Sequence, residues 1–217
     1  MTWIKICGTT NLDDALMSVE AGANALGFIF YEASPRYVVA ETVRKIVAGL
    51  PDHIEKVGVF VRPTPHQVKK AAETTGIAAA QLYLDQQSAK FDEFVAAAPH
   101  LRWIPSITMA TRMTFDLPSD NPARVHAFLL DSGSAQTPGG TGQSFDWTAS
   151  ANEVGEIKRL GKIIVAGGLH AANVGEAIRI LEPWGVDVVS GVEASPGKKD
   201  PFKVRAFIKA VKEAKQK

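Results

Sequence analysis

Apolar residues in this chain fall into short runs, and after most of them apolar positions recur every three or four residues. Eight runs read as strands: residues 4–7, 25–30, 56–61, 79–82, 101–107, 126–130, 162–166 and 186–190. Most are continuously apolar rather than alternating, as parallel strands covered on both faces are. Successive starts lie 21 to 36 residues apart, room for a strand, a loop and a helix in each unit. Between the strands, Leu12, Ala15, Leu16 and Val19 mark one helical face, Val68, Ala71 and Ala72 a second, and Phe91, Phe94, Val95 and Ala98 a third. Asn11 and Thr64 suit helix starts, as does Asn173 or the residues just before it. Pro65 suits a first turn, and Gly22 and Gly76 suit helix ends. The segment 201–217 puts Val204, Phe207, Ile208 and Val211 on one side and lysines on the other, the pattern of a helix with a solvated face.

Eight strand–helix units in 217 residues predict an α/β fold, a single (β/α)8 TIM barrel forming one domain over residues 1–217. An open doubly wound sheet competes poorly, because no Gly-x-Gly-x-x-Gly follows the first strand. One unit is weak. Residues 108–124 hold Pro118 and Pro122 and little helical periodicity, so the fifth helix is expected to be short or missing.

Composition narrows the function. At 46% hydrophobic there is enough material for one large core, and 24 basic against 23 acidic residues leave a net charge of +1, which argues against a nucleic-acid partner. One cysteine permits neither an intrachain disulfide nor a cysteine metal cluster. Residues 1–7 lack the features of a signal peptide and no apolar run reaches membrane-spanning length, so a cytoplasmic protein with no membrane partner is expected. The five histidines show no ligand spacing, so no metal site is expected.

In such barrels chemistry gathers at the C-terminal ends of the strands. The first strand ends on Cys7, beside Gly8. A lone cysteine is more often a small buried hydrophobe, but at a strand end, with its pKa lowered by a cation or helix N-termini, it can serve as a base. After the second strand Pro35 stiffens a loop carrying Arg36, whose planar fork suits a carboxylate or phosphate and also a surface salt bridge. The sixth strand runs into Asp131, a carboxylate directly after four apolar residues, placed to act as a general acid or to brace the next loop. Gly167 and Gly168 follow the seventh strand, and Ser190 and Gly191 end the eighth. Together they offer backbone N–H groups in the manner of a barrel phosphate cradle, or simply tight turns. Residues 138–147 lack the lysine of a phosphate-binding P-loop and read better as a ligand-covering loop. Base, acid, rim arginine and phosphate cradle together suggest proton transfer on a phosphorylated sugar, with no cofactor.

At this point several motifs, in order along nearly the whole chain, resemble one family. Lys5-Ile6-Cys7-Gly8-x-Thr10, Ser34-Pro35-Arg36-Tyr37, Val57-Gly58-Val59-Phe60-Val61, Gly139-Gly140-Thr141-Gly142 with Phe145-Asp146-Trp147, Ala166-Gly167-Gly168-Leu169, and Ser190-Gly191-Val192-Glu193 with Pro196-Gly197-x-Lys199-Asp200 are similar to the phosphoribosylanthranilate isomerases of tryptophan biosynthesis. The resemblance implies an Amadori rearrangement of a phosphoribosylated anthranilate. It implies Asp131 as general acid, Cys7 as thiolate base, Arg36 as the anthranilate-carboxylate holder, and Gly167, Gly168, Ser190 and Gly191 as phosphate ligands. The implied partner is a small phosphosugar, and both a monomer and a homodimer stay open. Two departures stand out: Gln81-Leu82-Tyr83-Leu84 replaces the family's Gln-Leu-His-Gly, and Pro105-Ser106-Ile107-Thr108 replaces Lys-Ala-Ile and its successor. Leu84 is expected to add bulk at the barrel mouth, and Pro105 to remove a ladder donor. Those departures motivate a rival reading, a non-catalytic or altered-specificity ribose-phosphate binder. The sugar-phosphate isomerase of histidine biosynthesis is a further rival, against which Cys7 counts.

Overall fold

A computed structural model describes residues 1–85, 87–109, 125–133 and 144–214. Eight parallel strands close into a barrel in chain order: β1 (Trp3–Cys7), β2 (Ala25–Ile29), β3 (Glu55–Val61), β4 (Ala79–Tyr83), β5 (Arg102–Thr108), β6 (Phe128–Asp131), β7 (Ile163–Val165) and β8 (Gly185–Val188). Each predicted strand is present, with ends moved by one or two residues. The described helices are α1 (Leu12–Ala21), α2 (Ala40–Ala48), α3 (Pro65–Thr75), α4 (Phe91–Ala97), α5 (Ala151–Leu160), α6 (Val174–Leu181) and α7 (Pro201–Ala214). The expected weakness of the fifth helix falls on residues 110–124, outside the described residues, and most of the proposed covering loop does too.

Local chemistry sets the helix boundaries. The Asn11 side chain accepts from the Asp14 N–H, Thr64 and Gln67 form a capping box, and Gly22 and Gly76 take left-handed conformations at the ends of α1 and α3. Asn173 departs from expectation. It occupies the start of α6, but its side chain caps nothing; it accepts from His170 N–H and donates to the Gly168 carbonyl.

Strand alternation sorts side chains into two layers. Ile4, Ile6, Leu26, Phe28, Leu82 and Leu130 face the helices, where Phe91 and Phe94 of α4 meet Trp103 edge-on. The opposite parity fills the barrel with smaller residues: Ala25, Val57, Ala79, Ile104, Leu129 and Ile164. At the N-terminal end, Trp3 stacks on Trp184 at 5.0 Å and Arg102 pairs with Glu55 at 3.1 Å. That end is plugged, so chemistry is confined to the other. Leu84 joins the outer core and is buried there, so its bulk does not narrow the mouth, contrary to expectation. Pro105 sits within an unbroken β5, opposite Leu82 of β4.

Candidate active site

Inward parity continues past the core layer and brings polar groups to the C-terminal mouth. Cys7, Gln81, Tyr83, Asp131 and Asp187 line one cavity, together with Arg36 from the β2–α2 loop and residues 166–169 and 188–190 from the last two strand ends. Six of the seven residues proposed as site members therefore converge there. Gly191 stands just behind the wall, packed against the Leu169 carbonyl so closely that a side chain would not fit.

Cys7 is 3% exposed and its neighbour across β2 is Gly27. A Cβ on Gly27 would lie 2.6 Å from the sulfur, so glycine there makes room for the thiol. Below Cys7 on the same face, Lys5 is wholly buried and ion-paired with Asp187 at 3.0 Å, donating also to Gln81 Oε1 at 2.8 Å. Burial opposes the Lys5 charge, but Asp187 and then Cys7 outweigh it and hold its pKa above the ordinary value. The Cys7 thiol behaves contrary to the expectation of a lowered pKa. Burial pushes it up, and the opposing pull of Lys5 and Lys199 does not compensate. Burial thus disfavours the thiolate in the free protein.

Asp131 is 3% exposed. Its Oδ1 accepts from the Gly133 N–H at 3.1 Å, bracing the loop, and its Oδ2 accepts from the Tyr83 hydroxyl at 2.6 Å. Asp131 therefore braces the following loop and also lines the cavity.

Arg36 makes a largely buried ion pair rather than the surface one weighed from sequence. It lines the cavity and also pairs with Glu193, through Nε at 3.0 and 3.1 Å and Nη2 at 2.7 Å. That uses one edge of the fork and leaves the Nη1 edge without a partner among the described residues. Glu193 belongs to a small antiparallel hairpin of β9 (Glu193–Ser195) and β10 (Lys198–Lys199), whose Lys199 binds Glu193 at 3.1 Å and the Cys7 carbonyl at 2.6 Å. Burial works against the Glu193 carboxylate, yet Arg36 and Lys199 prevail and hold its pKa below the usual range.

Gly167 and Gly168 both have positive φ, +81° and +62°, and a side chain on Gly167 would run into Ser132. Their N–H groups have no backbone acceptor among the described residues. On the facing strand end a single 3₁₀ turn, Ser190–Val192, follows β8. Among the described residues no group of three or more histidine, cysteine or carboxylate side chains is placed as metal ligands would be.

A family model described as N-(5'phosphoribosyl)anthranilate (PRA) isomerase matches residues 4–210. The chain belongs to this family. Among curated isomerases of that name, the Geobacter metallireducens protein is 43% identical over 98% of this chain and 100% of its own length. The Prosthecochloris aestuarii protein is 41% identical over 99% and 96%. The Thermotoga maritima phosphoribosyl anthranilate isomerase has a TM-score of 0.81 and 34% identity, covering 98% of this chain and all of its own. Another solved isomerase, in complex with reduced 1-(o-carboxyphenylamino)-1-deoxyribulose 5-phosphate, has a TM-score of 0.78 at 34% identity, with the same coverage.

Within this isomerase barrel, sequence reasoning missed the groups that support the named residues: Lys5, Gln81, Asp187, Glu193 and Lys199. A signal was available for three of them. Lys5, Gln81 and Asp187 are polar residues inside otherwise apolar strands, and each has the inward parity of Cys7 or Asp131.

Proposed function

We propose that this chain catalyses the Amadori rearrangement of N-(5'-phosphoribosyl)anthranilate to 1-(2-carboxyphenylamino)-1-deoxyribulose 5-phosphate by general acid–base catalysis. The observation that carries this reading is the convergence of Cys7 and Asp131, ends of β1 and β6, on one cavity walled by Arg36 and the glycine loops. Asp131 protonates the furanose ring oxygen, the C1–O bond breaks, and the sugar opens to the Schiff base. The Cys7 thiolate removes the C2 proton, and the resulting enol tautomerises to the ketone. The free Nη1 edge of Arg36 holds the anthranilate carboxylate. Gly167, Gly168, Ser190 and Gly191 hold the phosphate through backbone N–H groups, and the positive φ and absent side chains of Gly167 and Gly168 permit close approach.

Because burial raises the Cys7 pKa, the thiolate must be generated against that cost, and Lys5 is the buried cation beneath it. Activity should accordingly keep rising with pH through the alkaline range as the thiolate fraction grows. A cytoplasmic location accompanies this reading; no described helix is long and apolar enough to cross a membrane.

The test is fluorimetric. Pure protein mixed with enzymatically generated phosphoribosylanthranilate should extinguish the substrate's fluorescence, and Cys7→Ala or Asp131→Ala should each slow turnover at least ~10²-fold. Unchanged rates in both variants would exclude this mechanism. Binding of product without any turnover would favour the ribose-phosphate binder instead.

A further inference from the structure

Tyr83 stands where the resembling family usually carries histidine, and its hydroxyl reaches Asp131 at 2.6 Å. The direction of that hydrogen bond follows from groups further away. Lys5 is a donor only, so the Gln81 atom it meets at 2.8 Å must be the carbonyl Oε1. The Gln81 amide nitrogen then faces Tyr83 and donates to its hydroxyl at 3.2 Å. Having accepted from Gln81, the phenol directs its single proton at Asp131 Oδ2. An unbroken polar chain thus crosses the barrel floor from Asp187 (β8) through Lys5 (β1), Gln81 and Tyr83 (β4) to Asp131 (β6).

We infer that Tyr83 is a positioning residue for Asp131: its hydroxyl, oriented by Gln81 and Lys5, holds the carboxyl against the cavity wall and stabilises the carboxylate formed when the proton leaves. A hydrogen bond to a carboxylate is stronger than one to the neutral acid, so the contact tightens as Asp131 gives up its proton. The phenol remains a donor throughout the working range, because burial and then the nearby Asp131 charge push its pKa well above 10. The titratable neighbours of this pair are Asp187 and Cys7, with Lys5 one link further along.

This inference rests on the acid role given to Asp131 above, and two readouts separate the two ideas. Tyr83→Phe keeps the ring and removes only the hydroxyl. Its kcat should fall about ten-fold or more, with KM within about two-fold, since Arg36 and the glycine loops are untouched. Carboxyl-¹³C NMR of Asp131, which needs no turnover, should show its resonance displaced in Tyr83→Phe from the parent at the same pH. Gln81→Glu keeps Tyr83 but offers its hydroxyl a competing acceptor, and should reproduce both the displaced resonance and the fall in kcat. An unmoved Asp131 resonance in Tyr83→Phe overturns the inference, as does a kcat within two-fold of the parent or a loss confined to KM. A resonance that moves in a protein with no turnover sinks the isomerase reading and leaves the Tyr83–Asp131 coupling standing.

Discussion

Replacing Glu193 with glutamine preserves shape and removes one charge from the most heavily used carboxylate near the mouth. Glu193 accepts from Arg36, Lys199 and the Gly197 N–H, and its side chain is 4% exposed beside an Arg36 that is 11% exposed and a Lys199 at 0%. Breaking a buried pair by neutralising one partner costs about 3–5 kcal/mol. The lower figure applies, because Arg36 retains some solvent and burial already disfavours the Lys199 charge. About 3 kcal/mol in a chain of this size lowers Tm by roughly 6–12 °C. Arg36 would also lose its bidentate anchor, so KM should rise about ten-fold through lost orientation, while kcat changes less. Because the Glu193 pKa is depressed on folding, its contribution is complete above its ordinary value of 4.5 and fades as pH falls through the folded value. The stability gap between parent and Glu193→Gln should therefore close below about pH 4.5. Calorimetry across pH and steady-state kinetics measure both effects. A Tm within 2 °C of the parent together with an unchanged KM would refute the idea that Glu193 anchors Arg36.

Two further outcomes test the frame around the site. Gly27→Ala places a methyl 2.6 Å from the Cys7 sulfur and 3.1 Å from its Cα, so the thiol must shift. The variant should lose about 1–3 kcal/mol in urea unfolding and at least ten-fold in kcat, and parent-like kinetics would show that the thiol's placement is not critical. At the plugged end, burial holds His126 at a pKa of about 4 against an ordinary 6.5, so protons favour the unfolded chain between those values. Lowering the pH from 6.5 to 4 should cost up to about 3 kcal/mol through this residue, and equal acid sensitivity in His126→Gln would assign the loss to other groups.

The value of each site residue traces to a different kind of information. Unbroken apolar runs at regular spacing reveal eight parallel strands, because burial on both faces leaves no reason for alternation. Cys7 and Asp131 were legible as candidates because a polar residue ending such a run has nowhere to go but the barrel mouth. Arg36 and the paired glycines were legible as chemistry, one as an anion fork and the others as bare backbone. The sulfur's titration was not legible. From sequence the thiol was open to acidification by a cation or helix N-termini, and only the depth of its burial shows that desolvation wins.

Sequence alone thus determined the period and the strand count, since these depend on neighbours two to four positions away, while unbroken apolar runs left the inward parity open. Partnership was decided by closure of the barrel. Lys5 meets Asp187 across 182 positions, Arg36 meets Glu193 across 157, and Tyr83 meets Asp131 across 48. No local pattern encodes those pairings, because each depends on all the strands closing in one register before the two side chains share a wall.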